Sequence, residues 1–293
     1  MTMEHLLAIV DQRHADSPAF RSAVQWSRIL GARLSVFLPA DLTSPEGLTL
    51  GSGLLASVEH TAELDAEHWL EDFLARESAS IGRHAVASRH WVQAVCHEVE
   101  RMGADMIFIS RESAPNSAAW KKLLRQLPAP TCIVRDTTTP QSILAAVSAI
   151  PEDAVHQVLN DTVLNYAVRL RDLWQVELKV ASALPSAMEI APMMGETYAV
   201  SYVQEEMETS LREALRLLLE KHGLKDDILC LRMGVVEAVL AQELETVHAN
   251  WVIMGTVGRR ALTAFFSGNS AEQVERHVPA NLLLLRPQDF SEL

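Results

Sequence analysis

The stretch Asn250–Pro287, NWVIMGTVGRRALTAFFSGNSAEQVERHVPANLLLLRP, decides how the rest of the chain is read. It opens with an apolar run, Trp251-Val252-Ile253-Met254, that stops at Gly255. Gly258 follows after two residues and Gly268 after nine more, leading into Asn269-Ser270-Ala271-Glu272. A helical pattern then runs to His277, and a second apolar run, Leu282 to Leu285, ends at Arg286-Pro287. The order is strand, glycine loop, helix start, strand. Backbone N–H groups at such a helix start favour an anion.

Outward from this stretch, the same order occurs twice. The opening run His5–Asp11 (HLLAIVD) is followed by a helical pattern over Pro18–Leu30, with Ala19, Val24, Trp26, Ile29 and Leu30 on one face. Gly31 fits its stop, and Leu34–Leu38 reads as a strand that Pro39 ends. Strand, helix, strand at this spacing is a βαβ unit, which requires a parallel sheet. A glycine- and serine-containing loop is expected over Thr43–Ser57, and a long helix over Thr61–Glu77. Ala85–Trp91 then reads as a strand, Val92–Arg101 as a helix, and Ala104–Ser110 and Thr131–Arg135 as the last two strands. Leu6 matches Ile143 at an offset of 137 residues, Ala104 matches Ala249 at 145, and Ala129 matches Ala280 at 151. Offsets that rise in order mark a duplicated domain rather than a solenoid. The expected domains are 1–138 and 139–293, with Asp136–Pro140 (DTTTP) as the linker and about five mostly parallel strands in each.

Composition narrows the function classes. The net charge is −13, and splitting at Pro140 leaves both parts acidic, at −4 and −9. Neutralising many phosphates needs a basic face, and no basic run is present, so nucleic acid is not an expected partner. No apolar run approaches the ~18 residues of a membrane span. The start, MTMEHLLAIVDQRH, lacks a basic segment and a cleavage site, so no signal peptide is expected. Cys96, Cys132 and Cys230 are odd in number and far apart, which suits a reducing cytoplasm and no disulfide framework. Eleven histidines show no metal-ligand spacing, and His60 and His68 share one helix on an expected wet face. Gly51-Ser52-Gly53 lacks the spacing of a nucleophile elbow. No acid–base pair, triad or Walker lysine is present, and the chain reads as a non-enzyme whose one argument for ATPase activity is its glycine loop.

With its glycines and its duplication, the sequence resembles the universal stress protein family, in its tandem-domain branch. That family's nucleotide signature is Gly, two residues, Gly, nine residues, Gly, then Ser or Thr. Gly255, Gly258 and Gly268 match it; Asn269 stands at the fourth position with Ser270 after it. Three glycines so spaced recur by chance in roughly one such chain in ten, so their place between a strand and a helix start carries the resemblance. It implies an α/β fold with strand order 3-2-1-4-5 in each domain and a site for ATP or another adenine nucleotide in the second. Met254, Gly255, Thr256, Gly258, Arg259, Gly268, Asn269 and Ser270 would hold the phosphates, with Val147 and Ser148 at the adenine and Val180, Gly234 and Val235 near the base and ribose. Ser148 stands where ATP-binding members usually carry Asp. In the first domain Asp11 is kept, but Ser110-Arg111-Glu112 replaces the start of the glycine loop, so no nucleotide is expected there and Asp11 reads as a turn residue. The family's last strands often mediate dimers, which implies an internal pseudo-dimer through Cys132–Arg135 and Leu282–Arg286, with a homodimer also possible.

A different class of function rests on Met188–Val203 (MEIAPMMGETYAVSYV), a segment too apolar to be left in water. It leads into a long charged helix expected over Gln204–His222. The alternative to a nucleotide is an apolar or acyl-bearing small molecule beneath this loop, with Met193 and Met194 as adaptable lining.

Overall fold

The first helix shows how local chemistry sets the frame. Ser17 caps it, its hydroxyl oxygen accepting from the Phe20 N–H at 3.3 Å, and Pro18 fills the first helical position. Gly31 closes it in the left-handed conformation at φ 65°. The result is α1 (Pro18–Leu30), with the boundaries that the pattern implies. Its buried face is Ala19, Phe20, Ala23, Val24 and Trp26; Ile29, expected on that face, is instead 42% exposed.

The computed structural model describes residues 3–14, 16–41, 52–77, 81–88, 90–126, 128–137, 139–149, 154–184, 200–256 and 270–286. Two compact units comprise Met1–Thr138 and Thr139–Leu293. The first holds β1 (His5–Ile9), α1, β2 (Arg33–Asp41), α2 (Ser52–Leu74), β3 (Gly82–Ser88), α3 (Trp91–Met102), β4 (Met106–Ile109), α4 (Ser117–Leu124) and β5 (Thr131–Ile133). Its strands lie side by side as β3-β2-β1-β4-β5, each pair parallel. The second holds β6 (Ser142–Ala146), α5 (Ala154–Trp174), β7 (Glu177–Leu184), α6 (Val200–Lys221), β8 (Leu229–Met233), α7 (Val236–Val247), β9 (Trp251–Gly255), α8 (Ser270–His277) and β10 (Asn281–Leu285). Its order, β10-β9-β6-β7-β8, is the same arrangement, again with parallel pairs. Each unit has the α/β architecture and the 3-2-1-4-5 order implied above.

The central strands are buried on both faces, as crossover helices require. Leu6–Ile9 and Met106–Ile109 are sealed in the first unit, and Ile143–Ala145 and Val252–Ile253 in the second. His5 enters this interior at the base of β1. Its Nδ1 lies 3.0 Å from both the Met102 carbonyl and Arg33 Nη2, and its Nε2 lies 2.8 Å from the Ser35 hydroxyl. Both ring nitrogens thus have hydrogen-bond partners.

Two local expectations are corrected. Pro39 does not end β2, which runs on to Asp41 and pairs Pro39 with Val86. Pairing with β1 has already stopped at Phe37↔Ile9, so at Pro39 one neighbour remains and the missing N–H costs no ladder bond on the other side. Helix α2 begins at Ser52, so Ser52–Ser57 is helix rather than loop. The rest of that expected loop and Met188–Ala199 fall outside the described residues, while Val200–Val203, expected in the loop before the helix, belong to α6.

One buried charge is repeated in both units. Glu98 on α3 and Glu243 on α7, 145 residues apart, are 2% and 1% exposed. Glu98 accepts from Arg101 on its own helix, while Glu243 accepts from Arg232 on β8. A buried carboxylate needs such a partner. The same position has kept its charge and changed the source of the cation. Beside this pair, burial first and the Glu243 carboxylate second push the Cys230 thiol up to about 11.

Candidate functional site

In sheets of this topology ligands bind past the carboxyl ends of the strands, where strand order reverses. In the second unit that crevice lies between β6 and β9. Beyond β6, the Val147 N–H donates to Ala181 O at 3.0 Å, and Val147 O accepts from the Ser182 hydroxyl at 2.9 Å. Ser148 comes next. Its N–H donates to Asn160 Oδ1 at 2.9 Å, and its carbonyl accepts from Asn160 Nδ2 at 2.8 Å. Both groups of this residue's main chain are therefore engaged by one carboxamide from α5.

The opposite wall is the end of β9. Met254 is buried there, Gly255 and Thr256 are half-buried, and the Thr256 N–H donates to Leu285 O at 2.8 Å. Gly255 has a steric reason to be glycine. A Cβ at this position would lie 2.2 Å from Cγ of Leu159, whose side chain reaches across from α5. This close approach by an apolar side chain accounts for the glycine independently of any ligand. Gly258, Arg259, Gly268 and Asn269 lie outside the described residues; Ser270 opens α8.

The remaining expected residues are placed as follows. Val180 is fully buried inside β7, paired with Ala145 and Leu229, four residues before the strand ends at Leu184. It belongs to the core and not to the strand-end edge. Gly234 follows β8 at φ 137°, a conformation that favours glycine, and its N–H donates to Leu184 O at 3.0 Å. Val235 is the residue before α7 and is 51% exposed. Gly234 and Val235 thus sit beyond the end of β8, on the far side of β7 from Ser148.

At the corresponding strand ends of the first unit, serine side chains bond to the main chain. Ser110, following β4, accepts from the Ala19 N–H at 3.3 Å and donates to Val134 O at 3.1 Å. Arg111–Ser113 form a 3-10 turn, and the buried Ser113 hydroxyl donates to Ile9 O at 3.4 Å. Asp11 accepts from the Arg13 N–H at 2.8 Å through its side chain and from the His14 N–H at 3.1 Å through its carbonyl. It is a turn residue.

Sequence reasoning missed a cluster between α5 and α6. Lys221 Nζ donates to Asp161 Oδ2 at 2.6 Å, and His222 Nε2 lies 2.8 Å from Asp161 Oδ1. Burial pushes the Asp161 carboxyl up, but the hydrogen bonds from Lys221 and His222 outweigh it and hold the group below the ordinary aspartate range. A cavity of about 230 Å³ adjoins this cluster, lined by Ser148, Gln157, Asn160, Leu215, Leu218 and Lys221 among others. These residues are about 60 positions apart in sequence, and no motif links them. His60 and His68 are exposed on α2, and among the described residues no group of His, Cys, Asp and Glu forms a metal site. No described helix is long and apolar enough to cross a membrane.

Five parallel strands in the order 3-2-1-4-5 in each unit define the class: a tandem α/β protein. The model of the universal stress protein family matches residues 153–286 of the chain. The second unit carries that match. Over nearly its whole length the chain is similar to Universal stress protein E of Salmonella typhi, 26% identical over 98% of this chain and 95% of that one. A universal stress protein from Archaeoglobus fulgidus shares the fold at a TM-score of 0.66, 14% identical, over 98% of this chain and 100% of that one. A candidate universal stress protein from Pseudomonas aeruginosa does so at 0.71, 21% identical, over 99% and 96%.

Proposed function

We propose that the protein is a non-enzymatic stress-response binding protein whose second unit holds ATP or another adenine nucleotide by its phosphates, while the first unit serves as a structural partner. One observation carries this reading. The Gly-x2-Gly-x9-Gly spacing starts at the last residue of β9, Gly255, and ends just before α8 begins at Ser270. The loop therefore starts at the reversal between β6 and β9 and ends where a helix offers its first N–H groups. In the first unit, Ser110 and Ser113 are bonded to the main chain with Glu112 between them, which supports leaving nucleotide out of that half. Three free cysteines suit a cytoplasmic setting.

The test is calorimetric titration of ATP into purified protein. Binding in the millimolar range or tighter, abolished by Gly258→Val, is expected; no binding, or binding indifferent to that change, removes the nucleotide claim. Metal-dependent ATP turnover above background would overturn the non-enzymatic part.

The cavity beside α6 favours a second reading, a small apolar or acyl-bearing ligand. Leu215 and Leu218 line that cavity, and α6 takes in the last four residues of the apolar segment Met188–Val203. Native mass spectrometry separates the two: a co-purifying acyl species supports the second, and bound ATP the first.

A further inference from the structure

We infer that the cavity between α5 and α6 takes a compact organic monoanion, a small carboxylate on an apolar body, with the carboxylate bonded to Lys221. This rests on the second reading above, in which that cavity holds a small ligand, and narrows the ligand to one class.

At about 230 Å³ the cavity lies below the ~300 Å³ at which pockets for drug-sized ligands begin, and it has room for roughly eight waters at liquid density. Only a compact molecule fits. The lining is graded from inside to outside. Ala149, Leu215 and Asn160 are buried and form the floor, while Gln157, Ala214 and Lys221 are exposed and form the mouth. Asn160 adds little free polarity to that floor, because its carboxamide bonds both main-chain groups of Ser148. An apolar body is favoured inside, and a charged head at the mouth, where it keeps part of its water.

The sign of that head follows from the bonding capacity left at the mouth. Asp161 has one oxygen bonded to Lys221 Nζ at 2.6 Å and the other 2.8 Å from His222 Nε2. Both oxygens being engaged, it offers little to a cationic ligand. Lys221 donates to Asp161 through one of its three ammonium protons, which leaves donors for a ligand. Gln157, one turn before Asp161, brings a carboxamide NH₂ to the same mouth. The remaining capacity is donating and positive, and it selects a carboxylate. Asp161 also limits the ligand's charge. Lys221 is the only cation among the lining residues and is shared with Asp161, so a second negative charge would face that carboxylate with no further cation to offset it.

The experiment titrates benzoate, its neutral isostere benzamide and the dianion phenyl phosphate into the full chain, read by calorimetry and by 15N amide shifts over residues 154–161 and 214–221. Benzoate is expected to shift those amides and to bind roughly tenfold more tightly than the other two, the effect of one charge-assisted hydrogen bond. Lys221→Met should bring benzoate down to the benzamide level, and Lys221→Arg should keep it within about threefold of wild type. Asp161→Asn breaks the same tie between the helices as Lys221→Met yet frees the cation, so it should keep or strengthen benzoate binding. Ala214→Trp, at an exposed lining position, should block all three ligands. Benzamide or phenyl phosphate binding as tightly as benzoate would overturn the charge assignment and leave the cavity reading in place. Equal loss of benzoate in Lys221→Met and Asp161→Asn would overturn it too, since fastening of the helices would then explain both. If none of the three shifts those amides, or if Ala214→Trp still binds benzoate, the cavity reading itself fails and the monoanion with it.

Discussion

Gly255 carries two arguments, and they separate experimentally. As the first glycine of the loop it marks a phosphate site; as a neighbour of Leu159 it marks a packing constraint. A Cβ 2.2 Å from Leu159 Cγ requires the Leu159 side chain, its helix or the strand end to shift. Gly255→Ala is therefore expected to destabilise the protein by about 1–3 kcal/mol, typical of overpacking. Adding Leu159→Ala relieves the clash, so the double variant should lose less than the two single losses combined. Denaturant midpoints check this, and a Gly255→Ala protein as stable as wild type contradicts it. Only the first argument was legible in the sequence, because nothing there says which side chain of a helix a hundred residues earlier meets the glycine. His5 gives a second residue-scale prediction. Burial, then the neighbouring Arg33 guanidinium, lowers its affinity for a proton below that of an ordinary histidine. The unfolded chain takes up a proton near pH 6.5, while the folded chain resists until lower pH. The stability from neutral His5 is thus complete above about pH 6.5 and is lost as pH falls below it. Wild type should show this loss between pH 7 and 5, and His5→Gln should show a flatter profile over that range.

At the scale of elements, helices with strong end signals were read to the residue. Ser17, Pro18 and Gly31 delimit α1 as written in the sequence. Elements whose ends depend on tertiary neighbours were not. Pro39 looks like a strand stop, and its tolerance depends on β1 having ended beside it. The start of α2 at Ser52 was hidden because two glycines, Gly51 and Gly53, resemble loop. Ile29 has the spacing of a buried residue but lies at the last turn of α1, exposed. The attachment of α6 to α5 was likewise invisible, since Asp161 meets Lys221 and His222 only in the fold. Asp161→Asn should loosen that end of α6, seen as faster amide hydrogen exchange over residues 215–222. Unchanged exchange there would contradict a fastening role for this cluster. The pH sense is opposite in origin to that of His5 yet equal in direction. The Asp161 carboxylate is held below its ordinary range, so its contribution is present above about pH 4 and is lost as pH falls through the lowered value.

For the whole molecule, the repeat and the strand order followed from hydrophobic runs and three rising offsets. The asymmetry between the copies was legible too, as Ser110-Arg111-Glu112 against Gly255-Thr256-Val257. What the sequence withheld was the use to which the replacement is put. The expected stoichiometry is one nucleotide per chain; calorimetry giving two would contradict the structural role proposed for the first unit. Sedimentation velocity reads the assembly, and a clean 32.4 kDa species would exclude an obligate homodimer.

The serines after β4 also hold the first unit together. Ser110 ties the start of α1 to the residue after β5, and Ser113 ties the turn after β4 to the end of β1. Replacing these serines with glycines would restore the spelling of a loop while cutting the ties that now hold four elements together. Positions 110 and 113 can thus supply either the two glycines of a loop or these hydrogen bonds, and the present residues supply the bonds.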